Sequence, residues 1–328
     1  MNARSLIHLL ANGKKAIEIL GVARDFGLLA RLDAGWVTLG ALAADQGLIT
    51  GRTYKLMDCL ESLGLVERQD GGDAIEDTRY RAREPLSAVV DLALATEHDR
   101  DRHPWRDLDG RLGEVLRGEV GITPERFTWP PATDTQLADF EASMAAGCGP
   151  IAEAFVALGP VVAGDGRPLR VLDVGGGDGT LAARLLDAHP HLAIDVFNLP
   201  AAETLVRGKE RPRLGFVGGD FLTGELPLGY DAMWFVRVLH DWPADVARSL
   251  LAKARRALPP GGRIVISEEI RNAERLAVQF FWSHFLIGLD SCVSRLRDVA
   301  FYEEALGGLR FREITVHPGV FDVVTATA

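Results

Sequence analysis

Leu172-Asp173-Val174-Gly175-Gly176-Gly177-Asp178-Gly179-Thr180 holds four glycines in five positions. Without a Cβ, such a backbone can come close to a bound molecule. A tight turn alone does not require so many. The spacing reads G-x-G-x-G, with Thr180 at the sixth position, where a dinucleotide fingerprint keeps a small residue. No Gly-Lys-Ser/Thr follows, which excludes a phosphate-cradling P-loop. A nucleoside ligand without pyrophosphate fits best, such as S-adenosylmethionine, with Asp173, Gly175 and Gly177 along its path. Two further contacts should follow. A ribose hydroxyl needs an acceptor at the end of the second strand, where Asn198 stands in Val196-Phe197-Asn198-Leu199-Pro200. An acid is expected there, yet the amide oxygen also accepts a hydrogen bond. An aspartate substituted at 198 should therefore hold the ribose at least as well. Adenine needs a partner at the end of the third strand. Gly218-Gly219-Asp220-Phe221 offers a carboxylate for its amine and a ring for its face.

A glycine loop of this kind acts at the carboxyl edge of a parallel sheet, and the flanking pattern predicts one. Leu169–Val174, Ala193–Phe197, Leu214–Val217, Ala232–Val236 and Arg263–Ser267 read as strands. Thr180–His189, Ala201–Gly208 and Ala244–Ala257 read as helices between them. The alternation means strands with helices on both faces. Phe311–His317 and Phe321–Ala326, joined by Pro318-Gly319, read instead as a closing antiparallel hairpin. The fold class is thus α/β, a Rossmann-like domain with a mixed sheet, over residues 166–328.

Upstream the pattern is helical. Ser5–Leu20 reads as one apolar helix, and Leu39–Asp45 as a short one. Arg52–Leu63 follows, with Thr50 as its cap and Gly64 as its stop. Leu65–Arg68 and Thr78–Arg81 read as a hairpin around Asp70–Asp73. Helix, turn, helix and hairpin make a winged helix, placing a mainly α domain over residues 1–95. Residues 96–165 read as a helical connection contributing to a substrate pocket. They contain the amphipathic helix Asp139–Leu158 and end at the break Gly164–Pro168.

The charge balance argues against a duplex-binding role for the winged helix. The chain of 328 residues has 46 acidic against 36 basic side chains, a net charge of −10, whereas duplex binding wants a basic surface. In the second helix and its tail, Arg52, Lys55 and Arg68 are balanced by Asp58, Glu61 and Glu67. A packing module is the better reading. Cys59, Cys148 and Cys292 are widely spaced and odd in number, which fits a reducing cytoplasm rather than a disulfide framework. Lys14 and Lys15 interrupt any signal-peptide core. No run reaches the roughly 18 apolar residues of a membrane span. The expectation is a cytoplasmic protein with neither nucleic acid nor membrane as partner.

Asp173–Gly179, Asn198-Leu199-Pro200, Gly219-Asp220-Phe221, Val238-Leu239-His240-Asp241-Trp242 and Leu258-Pro259-Pro260-Gly261-Gly262 occur in one order and spacing. As a set they resemble the S-adenosylmethionine-dependent O-methyltransferases of the plant caffeate and bacterial natural-product type. The resemblance spans nearly the whole chain. It implies an N-terminal winged-helix dimerisation domain, hence a homodimer, and a small-molecule substrate. It also implies that His240 is a general base taking a proton from the substrate hydroxyl, with Glu268 holding its tautomer and Glu269 as the nearby competitor. Arg237, just before that motif, joins the cofactor-binding set. The family often carries an acid before a downstream arginine; here Leu296 precedes Arg297 and Asp298 follows it.

Met144, Cys148, Asp241, Phe281, Trp282, His284 and Phe285 are the expected pocket residues, an apolar wall suited to an aromatic or long apolar substrate. The expected reaction is O-methylation of a small secondary metabolite without a metal. The alternative within the class is C-methylation, in its metal-assisted form through His240, Asp241 and His284. Others are a family member with a non-methylating activity and, more remotely, a DNA-binding regulator.

Overall fold

The computed structural model describes residues 3–71, 74–98, 106–108, 110–125, 127, 131, 133–271, 280, 284, 287, 296–319 and 321–328. The chain divides at Arg106 into two compact units. Residues of the 96–165 segment fall on both sides of that boundary.

The first unit contains α1 (Ala3–Ala11), α2 (Gly13–Asp25), α3 (Leu28–Asp33), β1 (Val37–Thr38), α4 (Leu39–Asp45), α5 (Thr50–Ser62), β2 (Val66–Gln69), β3 (Arg79–Ala82) and α6 (Ser87–His98). The strands form a small antiparallel sheet ordered β1-β3-β2, with Tyr80 opposite both Val37 and Arg68. Leu28, Leu29, Leu32, Leu39, Leu42, Met57 and Leu60 pack with Tyr80 into its core. Two sequence expectations are corrected here. The stretch Ser5–Leu20 is not one helix, because it breaks at Asn12 before α2 opens on Gly13. Both residues are poor helix formers. Thr50 does not cap α5 but begins it; the preceding Ile49 is the cap position and makes no side-chain cap bond. Thr38 is a true cap, accepting from Ala41 N at 3.2 Å ahead of α4. On α1, Leu6, Ile7 and Leu10 are exposed.

The second unit begins with α7 (Leu112–Leu116), α8 (Asp134–Ala146), α9 (Cys148–Leu158) and α10 (Pro160–Ala163). The expected helix Asp139–Leu158 is thus two helices. It starts earlier, where Thr133 accepts from Gln136 N at 3.2 Å, and it breaks at Gly147. A Cβ at 147 would lie 2.9 Å from the Arg237 guanidinium. Gly149 and Pro150 further disfavour continuation.

Next come β4 (Leu169–Val174), α11 (Thr180–Ala188), β5 (Leu192–Asn198), α12 (Glu203–Arg207), β6 (Leu214–Gly218), β7 (Ala232–Val236), α13 (Ala244–Ala257), β8 (Arg263–Glu268), α14 (Val299–Gly308), β9 (Arg312–His317) and β10 (Asp322–Thr327). The sheet order is β6-β5-β4-β7-β8-β10-β9. The strands β4 to β8 pair in parallel among themselves, and β10 runs antiparallel between β8 and β9. The predicted mixed sheet with a closing hairpin is therefore what forms. From β4 the chain runs outward through β5 and β6, then returns to lay β7 on the other side. That reversal is the switch point at which ligands bind in such sheets.

Strand period sorts the core into two layers. Val171, Trp234 and Val265 face α9 and α11, packing on Ile151, Phe155 and Leu185. Leu172, Phe235 and Ile266 face α13 and α14, packing on Leu250 and Tyr302. Phe155 and Trp234 meet edge to face at 5.6 Å between centroids. Truncating Phe155 removes that contact and opens a cavity. Phe155→Ala should destabilise this unit by about 3–5 kcal/mol, read as a lower midpoint in urea unfolding followed by tryptophan fluorescence. A loss below about 1 kcal/mol would show that α9 does not pack as described.

Candidate active site

Glu268 ends β8 with its carboxylate 1% exposed. Oε1 accepts from the backbone N–H of Val238 at 3.1 Å and of Leu239 at 2.8 Å. Oε2 accepts from His240 Nδ1. The tautomer is thereby set, and Nε2 points to Asp241 Oδ1 at 3.3 Å. Burial alone would lower the ring's pKa, but the carboxylates of Asp241 and Glu268 outweigh it and push it up to about 9. Burial raises Asp241 to about 6, against the pull of His240. The loop is held from its other side by Arg297, whose guanidinium donates to Leu239 O at 2.6 Å and to Trp242 O. The chain enters this loop through Arg237, which has φ 54° and donates its N–H to Ser267 O at 2.9 Å. A left-handed non-glycine residue costs about 1–3 kcal/mol, so the loop's contacts must outweigh that strain.

A cavity opens at this edge of the sheet. Its wall includes Asp173, the glycine loop, Asn198, Asp220, Phe221, Val238, Asp241 and Trp242, together with Glu141, Met144 and Cys148. His240, 4% exposed, is not part of this wall among the described residues, whereas Asp241, which its Nε2 faces, is. Asp173 is fully enclosed, and neither of its oxygens has a hydrogen-bond partner among the described residues. Burial pushes its carboxyl up to about 7. Gly177 has φ 61° and Gly175 φ 72°; a Cβ on Gly175 would strike Val238 at 2.8 Å. The glycine loop therefore sits directly against the His240 loop. Phe221 packs edge to face on Trp242 at 5.8 Å.

Most of the predicted site residues converge here, with some changes of use. Both oxygens of Asp220 are already engaged by its own turn, accepting from Leu222 N at 2.8 Å and Thr223 Oγ1 at 3.0 Å. The Arg237 guanidinium reaches back to Met144 O at 2.6 Å, tying α8 to the loop. Asn198 Oδ1 accepts from Leu199 N, and its Nδ2 donates to Glu141 Oε1 at 3.2 Å and Gly177 O at 3.3 Å. Phe281, Trp282 and Phe285 lie outside the described residues. His284 is half-buried, stacks on Phe280 at 5.9 Å, and is not in the cavity wall formed by the described residues. Among those residues no group of three or more His, Cys, Asp or Glu could hold a metal ion.

Three residues have parts in the site that the sequence reading did not assign. Glu141 is 5% exposed; burial raises its carboxyl to about 7, opposed by the bond from Asn198. Its one signal was its place a helical turn before Met144. Arg297 entered only as the family's downstream arginine, with no role attached, and Lys253 gave no signal. Lys253 Nζ donates to the carbonyls of Phe221, Leu222 and Gly224 at 2.8, 3.2 and 2.7 Å, fixing the turn that carries Phe221.

Comparison with known proteins gives this fold and site a family. Residues 167–282 match the family described as O-methyltransferase domain. An N,N-dimethyltransferase, OxyT, of Streptomyces rimosus is 41% identical across 95% of this chain and 92% of its own. A 3-hydroxy-5-methyl-1-naphthoate 3-O-methyltransferase of Streptomyces sahachiroi is 38% identical across 80% of this chain and 76% of its own. Among solved structures, the S-adenosylmethionine-dependent methyltransferase SibL superposes with TM-score 0.65 at 24% identity, covering 98% of each chain. Human N-acetylserotonin methyltransferase superposes with TM-score 0.59 at 21% identity, covering 100% of this chain and 98% of that one. The chain belongs to the O-methyltransferase family and is an S-adenosylmethionine-dependent methyltransferase.

The residues present fit that cofactor. The glycine cradle has little room for side chains, the Asp173 carboxylate lacks a donor among the described residues, and the wall is rich in acids suited to a cationic ligand. A Cβ at Gly177 would lie 2.5 Å from Glu141 Oε2, and its φ disfavours a β-branched residue. Gly177→Val should therefore abolish S-adenosylmethionine binding in calorimetry while the protein keeps its fold by circular dichroism. Wild-type affinity in that variant would remove the glycine loop from the cofactor site.

Proposed function

We propose that the protein moves the cofactor's methyl group to a hydroxyl oxygen of a small, largely apolar or aromatic secondary metabolite, with His240 as the general base. The observation that carries this reading is the His240–Glu268 pair beside the cavity, with Nε2 directed at Asp241 on the cavity wall. Met144, Cys148 and Trp242 give that wall an apolar stretch suited to a ring. The naphthoate 3-O-methyltransferase relative supports an aromatic acceptor. When bound, S-adenosylmethionine supplies an electrophilic methyl group on sulfur. The chain's own part is to align the acceptor oxygen with that carbon and to take its proton. In this reading Asp241 links the acceptor hydroxyl to Nε2, and Glu268 stabilises the imidazolium that results. A second reading, an amine acceptor, is favoured by the 41% identical N,N-dimethyltransferase; it uses the same base, and mass and NMR analysis of the product separates the two.

We further read α4, α5 and the β2–β3 hairpin as a winged helix that serves assembly, in a cytoplasmic homodimer. The exposed Leu6, Ile7 and Leu10 on α1 support this. Light scattering should give twice the 35.6 kDa chain mass. A stable full-length monomer at micromolar concentration would refute the dimer.

His240→Ala and Glu268→Gln should each cut turnover by roughly 10²–10⁴-fold, with cofactor affinity nearly unchanged. A base must be neutral to act. A ring with a pKa near 9 is largely protonated at pH 7, so kcat/KM should climb with pH and level off near 9. Chelators should have no effect, and His284→Ala should alter mainly substrate affinity. Chelation that abolishes activity, restored by a divalent ion, would favour the metal-assisted alternative. A profile flat from pH 6 to 10 would remove His240 as the base.

A further inference from the structure

We propose that Glu141, on α8, supplies the carboxylate that grips the ribose hydroxyls of the cofactor, a task that Asn198 at the end of β5 does not perform. The inference rests on the cofactor assignment above. A vicinal diol presents two O–H donors, and a carboxylate can accept both. Asn198 is poorly placed to accept both, since one of the two lone pairs of its oxygen is in use. Its single side-chain oxygen already takes the N–H of Leu199 at 2.8 Å. Its amide group points the other way, donating to Glu141 Oε1 and to Gly177 O. The two bonds fix the amide's orientation independently. Asn198 therefore serves as a bracket that aims Glu141.

The carboxylate so aimed overhangs the glycine loop. Its Oε2 would lie 2.5 Å from a Cβ on Gly177, and the residue lines the same cavity as Asn198, Gly177 and Leu199. It is 5% exposed. A buried acid whose hydrogen-bond donor, among the described residues, is a neutral amide is costly to ionise, and hydrogen-bond donors from a ligand would reduce that cost. The arrangement also reverses an expectation drawn from sequence. An aspartate at 198 would stand beside Glu141 at hydrogen-bond distance, and two carboxylates there repel. Asn198→Asp alone should weaken cofactor binding.

Calorimetry with three probes tests this: S-adenosylhomocysteine, its 2′,3′-dideoxy analogue, and 5′-methylthioadenosine, which keeps the ribose but lacks the amino acid. Glu141→Gln should weaken S-adenosylhomocysteine and 5′-methylthioadenosine alike, by roughly 10- to 100-fold, the weight of a charged hydrogen bond. The dideoxy analogue should bind wild type and variant equally, which also shows that the variant is folded. Adding Asn198→Asp to Glu141→Gln should restore most of the lost affinity. An equal loss for the dideoxy analogue would overturn the proposal, as would 5′-methylthioadenosine binding unchanged, which would place Glu141 at the amino acid instead. Wild-type protein that binds S-adenosylhomocysteine without discriminating the dideoxy form would overturn it too, leaving the cofactor assignment intact. Failure of wild type to bind S-adenosylhomocysteine at all would sink both.

Discussion

Burying a carboxylate at the end of a parallel strand costs several kcal/mol unless its oxygens are fully engaged. Glu268 meets that condition by taking three donors from a single loop: two backbone N–H groups and the Nδ1–H of His240. The rest of the site depends on this arrangement. It fixes the imidazole's tautomer, pins the path from Val238 to His240, and turns Nε2 toward Asp241. Arg297 completes the clamp by taking two carbonyls of the same stretch. With donors and acceptors both held, the loop tolerates the strained backbone at Arg237. The ring it positions sits between two acids, which is why its pKa rises despite burial.

Among the described residues, the wall of the cavity beside this loop holds one cationic side chain, Arg237. Glu141, Asp173 and Asp241 all have carboxyl groups raised by burial; Asp220 adds to the same wall, as does Asp178, which is paired with Lys209 at 2.9 Å. The nearest guanidinium, that of Arg237, is occupied with the Met144 carbonyl. A low-dielectric pocket of this composition favours a positively charged occupant. A sulfonium nucleoside with an ammonium group meets that requirement. The same acids would resist an anionic dinucleotide, which agrees with the missing P-loop and pyrophosphate signals.

The scaffold makes this possible by breaking a helix. Gly147 separates α8 from α9, so Glu141 and Met144 face the cavity while Ile151 and Phe155 pack on the sheet. At the break itself a Cβ on residue 147 would lie 2.9 Å from the Arg237 guanidinium. On the far side, Lys253 gathers three carbonyls of the turn after β6 and holds Phe221 at the cavity's edge. Both devices place cavity-facing residues by tying a loop to a helix of the surrounding layer.

The alternation of strand and helix, the glycine loop, the closing hairpin and the motif around His240 were legible in the sequence. Each is written in local spacing: period two for strands, 3.6 for helices, and glycine where a Cβ cannot fit. The pairing of His240 with Glu268 was legible only through resemblance, because one sits in the loop after β7 and the other at the end of β8. Helix ends were misread where weak local signals competed, at Asn12, Thr50 and Gly147. Tertiary structure alone decided which acid stands over the glycine loop. Asn198 and Glu141 are 57 residues apart, and Arg297 is 58 from the carbonyl it holds. No spacing rule reaches that far. Such contacts form only when the sheet's reversal at β4 and β7 brings separate segments to one edge. Burial there also converts ordinary carboxyl groups into ones that titrate near neutrality.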